Sequence, residues 1–333
     1  MSIISFSGVE KLYKVKKKQE GRFAGLRNFF SNEFKEIRAV SDISFDIAPG
    51  ELVGYLGPNG AGKSTTIKML TGILVPSAGK VDVAGLEPFK NRQVNALNIG
   101  VVFGQRSQLW WDLPVSDSYE LNRRLFNIPK AVYEYNLEQA RLELGISEFF
   151  HTPVRQLSLG QKMRAEIGAA LLHDPKILFL DEPTIGLDVV AKDKIRKYIR
   201  RLNKEKGTTV ILTTHDMTDV EEICDRIMII DQGKKIYDGA LGAIKDTYQK
   251  KRTLILDLAE DYRGQTLPDV TSLKVEEGRR VVVEFQRDVI SAKTLIDHAF
   301  KTFEVRDLSL QETELEEIIR EIYQANGAGR QGL

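Results

Sequence analysis

Apolar and polar positions change period several times along the chain, and each change marks an element. Residues 3–9, "IISFSGV", and 43–56, "ISFDIAPGELVGYL", read as strands, with "APG" making a turn between two strand runs in the second. Between them Phe23, Leu26, Phe30, Phe34 and Ile37 recur at roughly helical spacing, and Lys16 to Lys18, Arg22 and Arg27 make the segment basic. That spacing predicts a basic amphipathic helix in an insertion at about 15–38. Two settings fit it equally: a membrane surface or membrane partner, and the surface of its own domain. Next come a helix to about Thr71 and strands near 80–84 and 98–103. Residues 115–173 are mostly helical by pattern, and "PKAVYEYNLEQARLELG" has Pro129 near its start and Gly145 at its stop.

"KILFLDE" and "TTVILTTH" are continuously apolar, as strands covered on both faces of a parallel sheet must be. The charged "VAKDKIRKYIRRLNKEKG" between them reads as a helix. Strands alternating with helices imply an α/β fold with a mostly parallel sheet, into which a helical lobe is inserted at about 106–173. Beyond Ala240 the texture changes. "TLILDLA" and "LKVEEGRRVVVEF" read as strands, the latter a pair joined at a glycine turn, and "SAKTLIDHAF" and "ETELEEIIREIY" as helices. Leu315, Ile318, Ile319 and Ile322 make one apolar face of the last helix. The expected organisation is a first domain at 1–240, a small α+β accessory domain at 241–326, and a disordered tail at 327–333.

Composition narrows this little. The 333 residues fit one large domain plus a smaller one. Lys and Arg number 48 against 47 Asp and Glu, a net charge of +1 that favours neither a nucleic-acid nor an acidic partner. The single cysteine, Cys224, cannot form an internal disulfide, which fits a reducing cytoplasm, and it reads as a buried helix residue. The start "MSIISFSGVEKLYK" lacks the basic and apolar stretches of a signal peptide. No apolar run approaches the roughly 20 residues that span a bilayer. The chain is therefore expected to be soluble, with any membrane role exercised through a partner.

The candidate chemistry begins at "GPNGAGKST": Gly57, Pro58, Asn59, Gly60, Ala61, Gly62, Lys63, Ser64 and Thr65. It follows the apolar "ELVGYL" and precedes "TIKMLTGIL", the strand–loop–helix setting of a phosphate loop. Its glycines let backbone N–H groups wrap phosphates, and the helix N-terminus adds its dipole. Lys63 is placed to reach the β- and γ-phosphates, and the Ser64 hydroxyl to ligate Mg²⁺. "ILFLDE" ends in Asp181, expected to complete the Mg²⁺ site from a neighbouring strand. Glu182 follows at its mouth, where a carboxylate can take a proton from attacking water. A second fragment, "LSLGQ" at 157–161, has a serine and glycine ahead of a helix but no lysine to hold phosphates.

Together with Gln105 in "VVFGQRSQLW", "GLD" at 186–188 and His215 in "ILTTHDM", this ordered set resembles the ATPase subunits of ABC transporters, over roughly residues 3–240. The resemblance implies a P-loop NTPase fold of the ABC type and hydrolysis of ATP with Mg²⁺. It also implies a head-to-tail dimer of two copies, in which Ser158, Gly160 and Gln161 complete the site on the partner chain. It assigns Gln105 to Mg²⁺ and attacking water, Asp188 to the contact between subunits, His215 to the γ-phosphate and Tyr13 to adenine. Leu159 departs from the commonest form of the signature, which has glycine there, and a positive φ at that position would strain it. Its side chain is expected to point away from the nucleotide.

The partners implied are separate transmembrane permease subunits, which place the chain at the cytoplasmic face of the membrane. No nucleic acid is expected. ABC-type relatives in DNA repair and translation usually carry coiled-coil arms or two ATPase domains, and this chain has one domain and no long heptad run. "GVVFGQRSQLWWDLPVSDSYEL" and the basic insertion resemble bacterial exporter-type ATPases for drugs, antibiotics, lipids or polysaccharides, with import as an alternative. Trp110 and Trp111 fall where the family docks its membrane partner, and they serve either such an interface or packing of the helical lobe.

Overall fold

The computed structural model describes residues 1–16, 34–104, 106–248 and 251–328. Two compact units divide it, Met1–Gly239 and Ala240–Leu333.

The first unit is built on a six-stranded sheet in the order β5-β6-β7-β3-β8-β9. Its strands are β3 (Leu52–Leu56), β5 (Ile99–Phe103), β6 (Ile177–Asp181), β7 (Thr209–Thr213), β8 (Arg226–Asp231) and β9 (Lys234–Ala240). The pairings β5–β6, β6–β7, β7–β3 and β3–β8 are parallel. β3 and β7 are buried at every position, and β6 at all but its last, Asp181. An antiparallel sheet packs against one face, and no wet face is left, so the strands are apolar throughout and do not alternate. Side chains such as Phe179, Ile211 and Ile230 each contribute roughly 1.5–3 kcal/mol by leaving water.

A second, antiparallel sheet has the order β2-β1-β4, from β1 (Ile4–Lys16), β2 (Phe34–Ile47) and β4 (Ala78–Val83). Phe6 stacks on Phe45 with ring centroids 4.9 Å apart, and their cluster joins Tyr55 and Ile67 in the main core. The far part of this ribbon corrects a sequence expectation. Phe34 and Ile37, expected on an amphipathic helix, lie on β2, where Ile37 pairs with Tyr13 and Phe34 with Lys16. Both are about half exposed. A spacing of three serves helix or strand, and a pairing partner across the ribbon decides it. Phe23, Leu26 and Phe30 lie outside the described residues.

Between β5 and β6 stand α3 (Val115–Leu125), α4 (Lys130–Leu144) and α5 (Leu159–Leu171); elsewhere in this unit are α1 (Lys63–Leu70), α2 (Arg92–Asn98), α6 (Val189–Lys206) and α7 (Met217–Ile223). Gly145 ends α4 in the left-handed region, as its sequence position predicts. The Tyr119 hydroxyl on α3 donates to the Ala165 carbonyl on α5 at 2.8 Å, tying the lobe together. Cys224 is 2% exposed, and burial pushes its thiol well above the ordinary value.

The second unit holds a four-stranded antiparallel sheet, β11-β12-β10-β13, formed by β10 (Lys251–Leu258), β11 (Val270–Glu276), β12 (Arg280–Gln286) and β13 (Val305–Glu312). Leu254, Leu256, Val281, Val283 and Phe285 form one face of this sheet and pack with Leu295 and Ala299 of α9 (Ala292–Thr302). Two further helices, α8 (Leu241–Tyr248) and α10 (Leu315–Ala328), complete it. Residues 327 and 328, expected to begin a disordered tail, instead close α10, and 329–333 lie outside the described residues.

Candidate active site

Parallel register places the chemistry. Phe103, Asp181 and Thr213 stand side by side at the carboxyl ends of β5, β6 and β7. The loops that leave these ends, and the loop that leaves β3, surround one open cavity of about 840 Å³. Ligands of open parallel sheets bind at this edge, where successive helix N-termini and loops converge.

The phosphate loop forms one wall, with Gly57, Pro58, Asn59, Gly60, Gly62, Lys63, Ser64 and Thr65 all lining the cavity. Ala61 is buried beneath it. Gly62 has φ +107, and a Cβ there would sit 2.3 Å from the Ala39 carbonyl oxygen. Only glycine meets both demands, and its conformation turns the chain into α1. Lys63 Nζ donates to the carbonyls of Gly57 at 2.6 Å and Pro58 at 3.2 Å. Burial lowers the Lys63 pKa, while Glu182 and Asp181 pull it back up. The ammonium is thus a desolvated cation inside the loop.

Ser64 Oγ donates to Asp181 Oδ2 at 3.2 Å, and Thr213 Oγ1 donates to Asp181 Oδ1 at 2.5 Å. Among the described residues no cluster of three or more His, Cys, Asp or Glu could hold a metal. A Mg²⁺ ion carried by phosphates needs only one or two protein oxygens, and the Ser64–Asp181 pair is a hard-oxygen set of that kind. Glu182 follows at φ +54, a region few non-glycine residues occupy. Its N–H donates to the Thr213 carbonyl at 2.9 Å, and the Asp181 carbonyl accepts from the Gly104 N–H at 2.9 Å. The left-handed turn brings the Glu182 side chain into the cavity lining, where Oε1 lies 3.4 Å from His215 Nδ1. Gln105 lies outside the described residues, between Gly104 and Arg106, which both line the cavity.

The remaining expected site residues lie outside the lining. Ser158 caps α5 with both halves of a capping box: its Oγ accepts from Gln161 N at 3.2 Å, and its N–H donates to Gln161 Oε1 at 2.9 Å. Asp188 caps α6, accepting from Ala191 N at 2.8 Å. A Cβ on Gly160 would lie 3.3 Å from Ala191 Cβ, so the two helix starts are neighbours. Leu159 takes the first helical position of α5, is half exposed and has no positive φ, so no strain attends the departure from glycine. Its Cδ2 reaches to 2.9 Å from where a side chain on Gly186 would begin. Tyr13 sits on β1 with the Lys11 ammonium 5.5 Å from its ring centre.

The chain resembles known proteins in line with this geometry. The family described as "ABC transporter" matches residues 40–185. The ABC transporter ATP-binding protein NatA of Bacillus subtilis is 31% identical across 71% of this chain and 95% of its own length. The chain belongs to the ABC transporter ATP-binding proteins. A Nod factor export ATP-binding protein I from Paraburkholderia xenovorans is 40% identical across 63% of this chain and 69% of that protein. Among solved structures, the dimeric ATP-binding cassette MJ0796 bound to ADP and Pi aligns at TM-score 0.59 and 26% identity, over 72% of this chain and 98% of that one. CbiO1 of Clostridium perfringens, part of the transporter complex cbiONQ, aligns at 0.59 and 28%, over 75% and 94%. As an ABC subunit the chain is an ATPase, and its fold is that of the family's α/β nucleotide-binding domain.

Sequence reasoning missed the groups that hold this ABC site in shape. Asp219, fully buried on α7, accepts from Thr184 Oγ1, from Thr214 Oγ1 at 3.2 Å and from Arg196 Nε of α6 at 2.6 Å. It joins the turn after Glu182 to the loop that carries His215. Arg196 lies in a helix so rich in charge that nothing marks one arginine as buried.

Proposed function

We propose that the chain is the ATP-hydrolysing subunit of an exporter, working as a head-to-tail dimer beneath separate membrane-spanning subunits. The observation that carries this reading is a split: Lys63, Ser64, Asp181, Glu182 and His215 share one cavity, whereas Ser158, Gly160 and Gln161 do not line it. A second copy would bring its own α5 start, with its dipole, to the γ-phosphate held by Lys63. The lysine absent from "LSLGQ" is then the other subunit's.

ATP would sit along the phosphate loop, with Tyr13 against adenine. Ser64, Asp181 and Gln105 would hold Mg²⁺, which neutralises charge on the transferred phosphoryl group. Glu182 takes the proton from water as it attacks, Lys63 stabilises the phosphate oxygens, and His215 fixes the γ-phosphate and the carboxylate beside it. Asp188 meets the partner subunit. ATP bridges the closed dimer, hydrolysis removes the bridge, and the difference between the two states moves the membrane partner. Among the described residues no helix is long and apolar enough to cross a membrane, so that partner supplies the pathway. The cytoplasmic face is the location this implies. Relatives named for Nod factor export support export.

Mixing two inactive variants tests the shared site. Ser158→Arg and Lys63→Ala chains form mixed dimers in which one site carries both defects and the other neither. ATP turnover of the mixture should exceed the sum of the separate variants. Turnover no higher than that sum overturns the reading.

A further inference from the structure

The segment joining β5 to α3 touches two places. Gly104 and Arg106 line the cavity. One residue on, Ser107 Oγ donates to Glu166 Oε1, and the Gln108 N–H donates to Glu166 Oε2 at 3.1 Å. The Gln108 side chain spans the gap between sheet and helix, donating to the Val101 carbonyl on β5 at 2.9 Å and to the Glu166 carbonyl on α5 at 3.4 Å. Glu166 is 3% exposed and lies two turns along the helix that Ser158 caps. A carboxylate taken out of water this completely is tolerable only while its oxygens keep donors. Both donors come from the cavity loop.

We infer that Glu166 is a positioning residue, clasped by Ser107 and Gln108 so that a shift of the cavity loop is transmitted to α5 and to the "LSLGQ" start it carries. The inference rests on the shared-site reading above. Moving Ser107 and Gln108 away would strand a buried carboxylate, so the loop and α5 shift together. α5 is further bound at Ala165 by Tyr119, and by Arg164 donating to the Leu144 carbonyl at 2.7 Å. The whole helical lobe therefore follows α5. The clasp gives the nucleotide cavity of one subunit a grip on the half-site that same subunit offers its partner.

The test uses the full chain with Glu182→Gln, so that ATP is held and not consumed. Ser107→Ala and Glu166→Gln are added separately, with Ser107→Thr as the variant that keeps the hydroxyl. Affinity of the monomer for a fluorescent ATP analogue should stay within about two-fold, because no clasp residue reaches the phosphate loop. The ATP concentration for half-maximal dimerisation, followed by light scattering, should rise about ten-fold or more in Ser107→Ala and return in Ser107→Thr. A dimerising parent whose Ser107→Ala derivative dimerises at the same ATP concentration overturns the clasp alone. A parent that stays monomeric with ATP overturns the shared site and the inference with it. Should Glu166→Gln fail to fold, Ser107→Ala still decides, since it leaves the Gln108 bond in place.

Discussion

His215 Nδ1 faces Glu182 Oε1 across 3.4 Å, and the two side chains live in different surroundings: Glu182 is 23% exposed and His215 63%. A contact this open contributes at most about 1 kcal/mol to the fold. What it fixes is the direction of a carboxylate that already stands in a left-handed turn. Glu182→Gln should keep ATP binding and lower turnover by roughly 100- to 10,000-fold, the range expected for losing a general base. His215→Ala should also lose turnover while unfolding within about 1 kcal/mol of the parent. Phosphate release and urea melts read the two quantities separately, and near-normal turnover of Glu182→Gln removes that residue from the role.

Gly62→Ala tests the phosphate-loop geometry. The added methyl would meet the Ala39 carbonyl at 2.3 Å from a residue held at φ +107. The backbone must move, at a cost of order 1–3 kcal/mol. Calorimetry should show a lower melting temperature, and nucleotide affinity should fall with it. An alanine variant that binds ATP normally contradicts the described loop.

The Arg196–Asp219 pair makes an opposite case for burial. Asp219→Ala leaves the guanidinium of Arg196, 9% exposed, without its closest partner, although Asp216 and Glu222 stand at 3.6 Å. The expected loss is about 3–5 kcal/mol of unfolding free energy. Replacing both, as Asp219→Leu with Arg196→Met, should cost less than Asp219→Ala alone. Equal or greater loss in the double variant denies that the stranded charge is the cause.

Burial raises the Glu166 pKa above its ordinary 4.5, against donors Ser107 and Gln108 and the nearby Lys162 ammonium that lower it. The folded chain therefore holds this proton to higher pH than the unfolded chain does. The contribution is fully present below 4.5 and is lost as pH rises through the folded value. Glu166→Gln should flatten that part of the stability profile. Denaturant midpoints taken across the acid range will show an unchanged slope if Glu166 is not its source.

Leu159→Gly restores the commoner form of the signature. Leu159 is helical and half exposed, so the change removes no strain and costs at most about 1 kcal/mol of helix propensity. Turnover should stay within about three-fold. A large rise would show that leucine slows the closed state.

Local signals account for what could be read from the sequence. The phosphate loop, the apolar runs of β6 and β7 and the helix that runs on from "LSLGQ" depend on neighbours along the chain, and each stands where the pattern put it. The far part of the ribbon of β1 and β2 could not be read this way, because Phe34 and Ile37 take their conformation from partners on β1. β8 and β13 gave no turn or period strong enough to announce them. Glu166 and Asp219 look like surface acids in sequence, and only the fold shows that donors from distant segments enclose them.

Cys224 opens a practical route to the assembly. It is the only thiol in the chain, it is buried, and its proton is held tightly. Alkylating reagents at neutral pH will pass it by. A cysteine placed at exposed Val189 or Val190, beside Asp188, would then be the sole reactive handle, and a spectroscopic label or short bifunctional linker there would report on the distance between two copies in the proposed dimer.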